Sequence, residues 1–227
     1  MPRRRTSLLN AIASLTGLMA LFSVMNTGLA HADTWLLDKQ NTSVRFTWNH
    51  LGLSRQSAQF LDVDGRLEFS PTDPDGGSVD IAIKTASVSS GVREYDNNLK
   101  SADFFNVANN PIITFKSTAV RRLTDKTGEV EGELTMLGVS KPVTLQVMWN
   151  YTGEHPFAAV NPTYKSRWVS GFSATATVLR SAWGLTRAVP LISDEIRITI
   201  EAEFLLKDLG GPSSSAIPVQ PPATGQN

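Results

Sequence analysis

The chain has no cysteine among its 227 residues. That absence excludes a disulfide framework, thiol nucleophiles, thiolate metal sites and dithiol redox chemistry. Histidine is scarce as well, and of the three only His50 and His155 lie outside the N-terminal leader described below. Neither charge sign is in excess, with 21 Lys and Arg against 21 Asp and Glu, so no basic field is available to hold a nucleic acid. No G-x-S-x-G elbow, H-E-x-x-H pair or phosphate-cradling glycine loop occurs. No segment repeats at a fixed period, which argues against a propeller or solenoid.

What is present begins with a leader. Arg3, Arg4 and Arg5 precede an apolar stretch from about Leu8 to Leu29, and Ala30-His31-Ala32 follows as a small-x-small cleavage site before Asp33. This order marks residues 1–32 as a secretory signal peptide. Asn10, Ser14, Thr16, Gly17, Ser23, Asn26 and Gly28 break the stretch, so its continuous apolar core falls short of the roughly 20 residues of a membrane-spanning helix. The residues after the arginines fit a twin-arginine signal poorly, which favours the ordinary secretory route. Removing 32 of the 227 residues leaves 195, with 18 basic residues against 21 acidic ones and a net charge of about −3. The expected location is the periplasm or the outside of the cell. A domain of about 175 ordered residues can bury enough surface to stand without disulfides. Residues 207–227 are rich in Gly, Pro and Ser and read as a disordered tail, so the folded domain is expected over 33–206.

The body alternates. Val44, Phe46 and Trp48 interleave with Arg45 and Thr47; Val79, Ile81 and Ile83 with Asp80 and Ala82; Val143, Leu145, Val147 and Trp149 with polar partners. Phe172, Ala174, Ala176 and Val178 do the same, as do Ile196, Ile198, Ile200, Ala202 and Phe204. Leu67-Phe69, Ile113-Phe115 and Val130-Leu134-Met136 supply three more runs. A period of two predicts strands with one buried and one wet face. Turn clusters at 70–77, 124–128 and 137–139 separate them, with no helix-length crossovers. The fold class is all-β and antiparallel, with about eight strands in a barrel or sandwich. Asp73, Asp75, Gly76 and Gly77 lack the further ligands of a calcium loop and read as a turn.

Alternation stops from Gly91 to Phe105, where Val92, Tyr95 and Leu99 recur at helical spacing. One or two helical turns are expected there, ended by Asn109-Asn110-Pro111. A short helix with Phe104 and Phe105 at its join to a strand is a means of capping a barrel mouth.

These residues carry a resemblance. Leu99-Lys100-Ser101-Ala102-Asp103-Phe104-Phe105, running through Asn110-Pro111 to Thr114-Phe115-Lys116-Ser117-Thr118, resembles a motif of the YceI family of exported, lipocalin-like proteins that bind polyisoprenoids. Gly132-Glu133-Leu134-Thr135 with Gly138-Val139-Ser140-Lys141-Pro142-Val143, Asn49-His50-Leu51-Gly52, and Gly171-Phe172-Ser173-Ala174 with Arg180-Ser181-Ala182-Trp183-Gly184-Leu185 are similar to its other motifs in order. The likeness spans about Asp33 to Leu206. It departs at Asn41 and Thr42, at Tyr95-Asp96-Asn97-Asn98-Leu99 and at Asn106, where the family often carries histidines or an aspartate. The resemblance implies a closed eight-stranded antiparallel lipocalin-like barrel, a short helix near its mouth and an isoprenoid chain inside. It implies no other cofactor.

The expected ligand-binding set is Phe46, Trp48, His50, Phe60, Leu99, Phe104, Phe105, Phe115, Phe172, Ala174 and Trp183. Aromatics fill cores as readily as they line cavities, but Ala174 and Ala176 beside Phe172 leave room on one inner face. His50, after a strand end, is placed to meet a headgroup or to cap a loop. His155 reads as a loop residue, and no second ligand near either histidine suggests a metal. Arg93, Asp96 and Asp103 are candidates to steer a headgroup, with Asp103 better read as a turn aspartate. The predicted function is a non-enzymatic carrier of an isoprenoid lipid or quinone-like amphiphile, with a homodimer as one expected assembly. The alternatives are a lipid-modifying hydrolase using His50 and a stress-related periplasmic scaffold for a protein partner.

Overall fold

The computed structural model describes residues 32–208 and 211–212. The expected leader, apart from Ala32, and nearly all of the expected tail lie outside the described residues. The strands are β1 (Asp33–Leu37), β2 (Ser43–His50), β3 (Ser54–Phe60), β4 (Val63–Ser70), β5 (Asp73–Lys84), β6 (Val88–Ser89), β7 (Ile112–Arg122), β8 (Thr127–Met136), β9 (Val139–Glu154), β10 (Trp168–Leu179) and β11 (Glu195–Leu206). One α-helix, α1 (Arg93–Lys100), lies between β6 and β7.

Eleven hydrogen-bonded segments make eight staves. β11 pairs with β1 over Phe204–Leu206 and with β2 over Arg197–Glu201, so β1 and β2 are two halves of one bent stave. β3 and β4 form the next, because β3 pairs with β2 and β4 with β1. β5 and β6 form the third, joined through the 3-10 turn Thr85–Ser87. β7, β8, β9, β10 and β11 follow singly, each antiparallel to its predecessor, and the pairing of β11 with the first stave closes an eight-stranded barrel. Closure leaves no long unpaired edge.

The alternation expected from the sequence matches burial. Val44, Phe46 and Trp48 are buried, while Arg45 between them is exposed. Two segments escape that pattern. β3 reads SRQSAQF, and only Ala58 and Phe60 turn fully inward. β1 is short and contributes Trp35, wholly buried, whose indole N–H donates to the Phe69 carbonyl at 3.1 Å. Two glycines fit the inner wall for steric reasons. A Cβ on Gly132 would lie 2.5 Å from both the Phe115 ring and the Lys116 carbonyl, and one on Gly65 would lie 2.4 Å from Ile81 Cδ1.

The two barrel ends differ. At one end sit the β4–β5 and β7–β8 hairpins and the 155–167 loop. At the other sit the β2–β3 hairpin, α1 and the 180–194 loop. β6 is two residues long and β7 starts at Ile112, so the third and fourth staves part at this second end. The segment from α1 to Pro111 covers it, and the Thr85 amide donates to the Pro111 carbonyl at 2.9 Å.

The helix stops earlier than the sequence suggests. It ends at Lys100 rather than at Asn109-Asn110-Pro111, because Ser101 leaves helical geometry (ψ 170°) and its hydroxyl donates to the Asn98 carbonyl at 2.7 Å. A compact turn follows, with the Phe105 amide bonded to Leu99 O at 3.0 Å and the Asn106 amide to Ser101 O at 2.8 Å. Asn106 takes a positive φ of 44° in that turn. The proline marks the entry to β7 instead. Among the described residues no helix is long and apolar enough to cross a membrane.

Candidate ligand cavity

Small and aromatic side chains on the inner faces leave a cavity of about 380 Å³ along the barrel. That volume lies within the usual range of small-molecule sites. The middle is lined by Phe46, Phe60, Ile113, Phe115, Ala174 and Ile198, and no side chain of that middle layer is charged. At the hairpin end the lining becomes polar and exposed, with Arg121, Arg122, Thr124 and Lys126. At the helical end it includes His50, Tyr95, Asn98, Leu99, Phe104, Phe105, Arg180 and Ile192.

Ten of the eleven expected residues share this lining: Phe46, Trp48, His50, Phe60, Leu99, Phe104, Phe105, Phe115, Phe172 and Ala174. Trp183 does not. It is buried at the foot of the 180–194 loop, and its indole N–H donates to the Leu134 carbonyl at 3.0 Å. The indole is committed to packing the loop against β8. Phe105 crosses into the barrel and packs edge-on against Phe46 (5.9 Å between ring centroids) and Phe60 (5.5 Å). Phe46 in turn lies on Trp48 at 5.8 Å. The phenylalanine pair is thus divided in burial, Phe105 seated in the core and Phe104 half-buried beside it.

The candidate headgroup residues are scattered in role. Asp96 accepts bonds from the Ser90 amide (2.6 Å), the Ser90 hydroxyl (2.7 Å) and the Ser89 hydroxyl (3.2 Å), which tie α1 to β6 and hold its carboxyl below the usual range. Asp103 is exposed and lies 3.8 Å from Arg187, an ion pair worth little at the surface. The His50 ring meets Tyr95 edge-on at 6.4 Å. His155 stacks on Tyr164 at 4.4 Å in the hairpin-end loop, and burial lowers its pKa. Among the described residues no three metal-ligating side chains come together.

Arg180 is the residue that its motif alone did not single out. It is 5% exposed, and its Nε, Nη1 and Nη2 donate to the carbonyls of Ser193, Leu185, Arg187 and Ile192. Burial pulls its pKa down from the ordinary arginine value, and Asp194 pushes weakly the other way. A basic residue at a strand end is unremarkable in sequence; only the fold buries it.

A model of the YceI-like domain matches residues 35–204. The chain belongs to the YceI family. A UPF0312 protein of Ectopseudomonas mendocina is 31% identical over 196 residues, covering 86% of this chain and 96% of that protein. Among solved structures, BcnA of Burkholderia cenocepacia superposes with a TM-score of 0.64 at 21% identity, covering 74% of this chain and 98% of BcnA. A polyisoprenoid binding domain from Saccharophagus degradans, implicated in plant cell wall breakdown, gives 0.52 at 12% identity, covering 76% of this chain and 98% of that domain. Those two likenesses share the barrel. The YceI family match covers the whole of it, from Trp35 on β1 to Phe204 on β11.

Proposed function

We propose that this YceI-family chain is an exported, non-enzymatic carrier that holds the tail of an isoprenoid lipid or quinone-like amphiphile inside the barrel. The observation that carries this reading is the cavity itself: about 380 Å³, running between both ends and apolar through its middle. Each CH₂-sized group moved from water into such a space gains about 0.8 kcal/mol. A long tail therefore gains enough to offset the several kcal/mol that association costs. The Saccharophagus degradans domain, a polyisoprenoid binder on the same barrel, supports the ligand class. The leader expected over residues 1–32 supports a periplasmic or extracellular site of action, where such a tail is insoluble and must be shielded.

A hydrolase has less support. Among the described residues no serine or carboxylate is hydrogen-bonded to the His50 side chain, whose ring partner is Tyr95. Extraction of the protein purified from its native host, followed by mass spectrometry, tests the carrier. A stoichiometric prenyl-type lipid is expected, and the emptied protein should regain thermal stability when the lipid is returned. No copurified lipid and no stabilisation by added prenyl lipids would overturn the reading. Ala174→Trp, which fills the middle of the cavity, should abolish uptake while the barrel persists.

A further inference from the structure

The two ends of the cavity are covered unequally. Toward the helical end the inward side chains are buried, with Ile113 5% exposed and Phe115, Met136 and Val143 each 8% exposed. Toward the hairpin end Val79, Val120, Val130, Val147 and Trp149 line the same cavity but are only half-buried. Among the described residues none of the 155–167 loop joins that lining, so the loop does not do at this end what α1 and Phe105 do at the other. A ring of half-exposed apolar side chains around an opening is a surface that calls for a cover.

The chain itself arrives at this place. β11 ends at the hairpin end, and the Lys207 amide still donates to Thr34 O at 3.0 Å. Gly211, with φ 92°, then brings the backbone against the Trp168 indole: a Cβ built on it would lie 3.1 Å from Nε1 and 3.3 Å from Cε2. Trp168 has the inward parity of Phe172 and Ala174 on β10 and packs against the barrel core. The backbone therefore passes over an inward ring at the rim. Pro212 follows, half-buried.

Residues 213–227, beyond the described part, read SSSAIPVQPPATGQN. Three serines lead to an apolar run, Ile217-Pro218-Val219, with Pro221 and Pro222 close behind. Proline fixes its own φ, so ordering such a run on a surface costs less entropy than ordering a Gly/Ser chain. The reach is sufficient. Eight staves about 4.8 Å apart and tilted by about 40° close a ring roughly 16 Å across. The residues 213–216 span up to about 13 Å when extended, which carries Ile217 from the rim over the opening.

We propose that residues 216–222 dock across the hairpin-end opening and cover the half-exposed valines beneath it. The helical end is closed by a packed segment; the hairpin end is closed by a strap that can lift. Cargo enters and leaves under this strap. That role rests on the carrier reading, whereas the docking itself does not.

The full chain has no cysteine, so Gln220→Cys supplies a single thiol for a benzophenone photocrosslinker. Irradiation without added lipid, followed by peptide mapping, should place the attachments within the same chain on residues 74–79 and 120–130. The attachments should be lost when Ile217→Ser/Val219→Ser is added and kept when Ser214→Ala/Ser215→Ala is added. A fluorescent prenyl probe should leave the Ile217→Ser/Val219→Ser protein about tenfold faster than wild type, the scale set by losing the burial of one aliphatic side chain.

Attachments on the 155–167 loop, on a second copy of the chain, or scattered without preference overturn the docking and leave the carrier standing. So does a map that the serine pair at 217 and 219 leaves unchanged. An unchanged release rate overturns the strap's role in cargo exchange. A prenyl probe that fails to bind, beside a map as expected, overturns the carrier reading and leaves the docking in place.

Discussion

The two ends of the barrel are built on opposite terms. At the hairpin end the β7–β8 turn is exposed, its residues bond mainly to their own neighbours, and Thr124 and Thr127 share a hydroxyl contact at 2.8 Å. At the helical end the covering segment is driven into the barrel by Leu99 and Phe105 and tied down by Asp96, while Arg180 holds the 180–194 loop beside it. Such a difference teaches where the cavity is specified. Solvent and long flexible side chains bound it at one end, while packed rings and the buried Arg180 guanidinium bound it at the other. Ligand selectivity should therefore be sensitive to changes beneath α1 and indifferent to changes in the β7–β8 turn.

Substitutions can break that contrast, and the largest effect belongs to Arg180→Met. It strips four backbone carbonyls of their donor, each at about 1–3 kcal/mol where no water replaces it. Chemical denaturation should show the largest loss of any single change, whereas Arg122→Met at the hairpin end should stay within about 0.5 kcal/mol. Phe105→Ala comes next, since it removes a buried ring that touches Phe46 and Phe60. A cost of about 3–5 kcal/mol is expected, lowering Tm on the order of 10 °C. An equal loss from Leu123→Ala in the opposite hairpin would erase the contrast.

Gly132→Ala probes the wall between the ends. Its Cβ must displace the Phe115 ring or the Lys116 backbone, so a loss of about 1–3 kcal/mol is expected, together with weaker uptake of a prenyl probe. The smallest effect concerns Asp96, and it appears on acidification. Its folded pKa is depressed, first by the Ser90 amide and then by the Ser90 hydroxyl. Its contribution is therefore complete above the ordinary value of 3.8 and is lost as pH falls through the lower folded value. Thermal melts of Asp96→Asn should lie slightly below wild type at neutral pH and converge with it in acid. A constant gap across that range would assign Asp96 no electrostatic role.

Much of the barrel is legible in the sequence because its physical cause is local. Period-two alternation in β2, β5, β9, β10 and β11 states which face is buried, and burial follows it. β3 escapes because its outward residues are polar and its inward ones few, so pairing with β2 and β6 holds it rather than composition. The helix ends short of the sequence expectation for a similar reason. Asn110-Pro111 is a strong stop, but Ser101 ends the helix first through a side-chain bond to Asn98 O that leaves no mark on hydropathy. Within the site, alternation and small residues suffice to place Phe46, Phe115, Phe172 and Ala174 on the inner wall. Trp183 and Arg180 lie in one motif and go to unexpected places, the first to loop packing and the second to the cavity. Both placements depend on carbonyls that only the 180–194 loop and β8 bring near.

A tail lying along the barrel axis is best tested by photolabelling. A prenyl probe with a photoreactive group near the end of its tail should be crosslinked to the wild-type protein and its attachment mapped by peptide mass spectrometry. Labels are expected on inward residues of β2, β7 and β10, around Phe46, Phe115 and Ala174, and they should disappear when unlabelled lipid competes. Labels confined to the outer wall or to the 155–167 loop, or labels that competitor lipid does not displace, would contradict a cargo held inside the barrel.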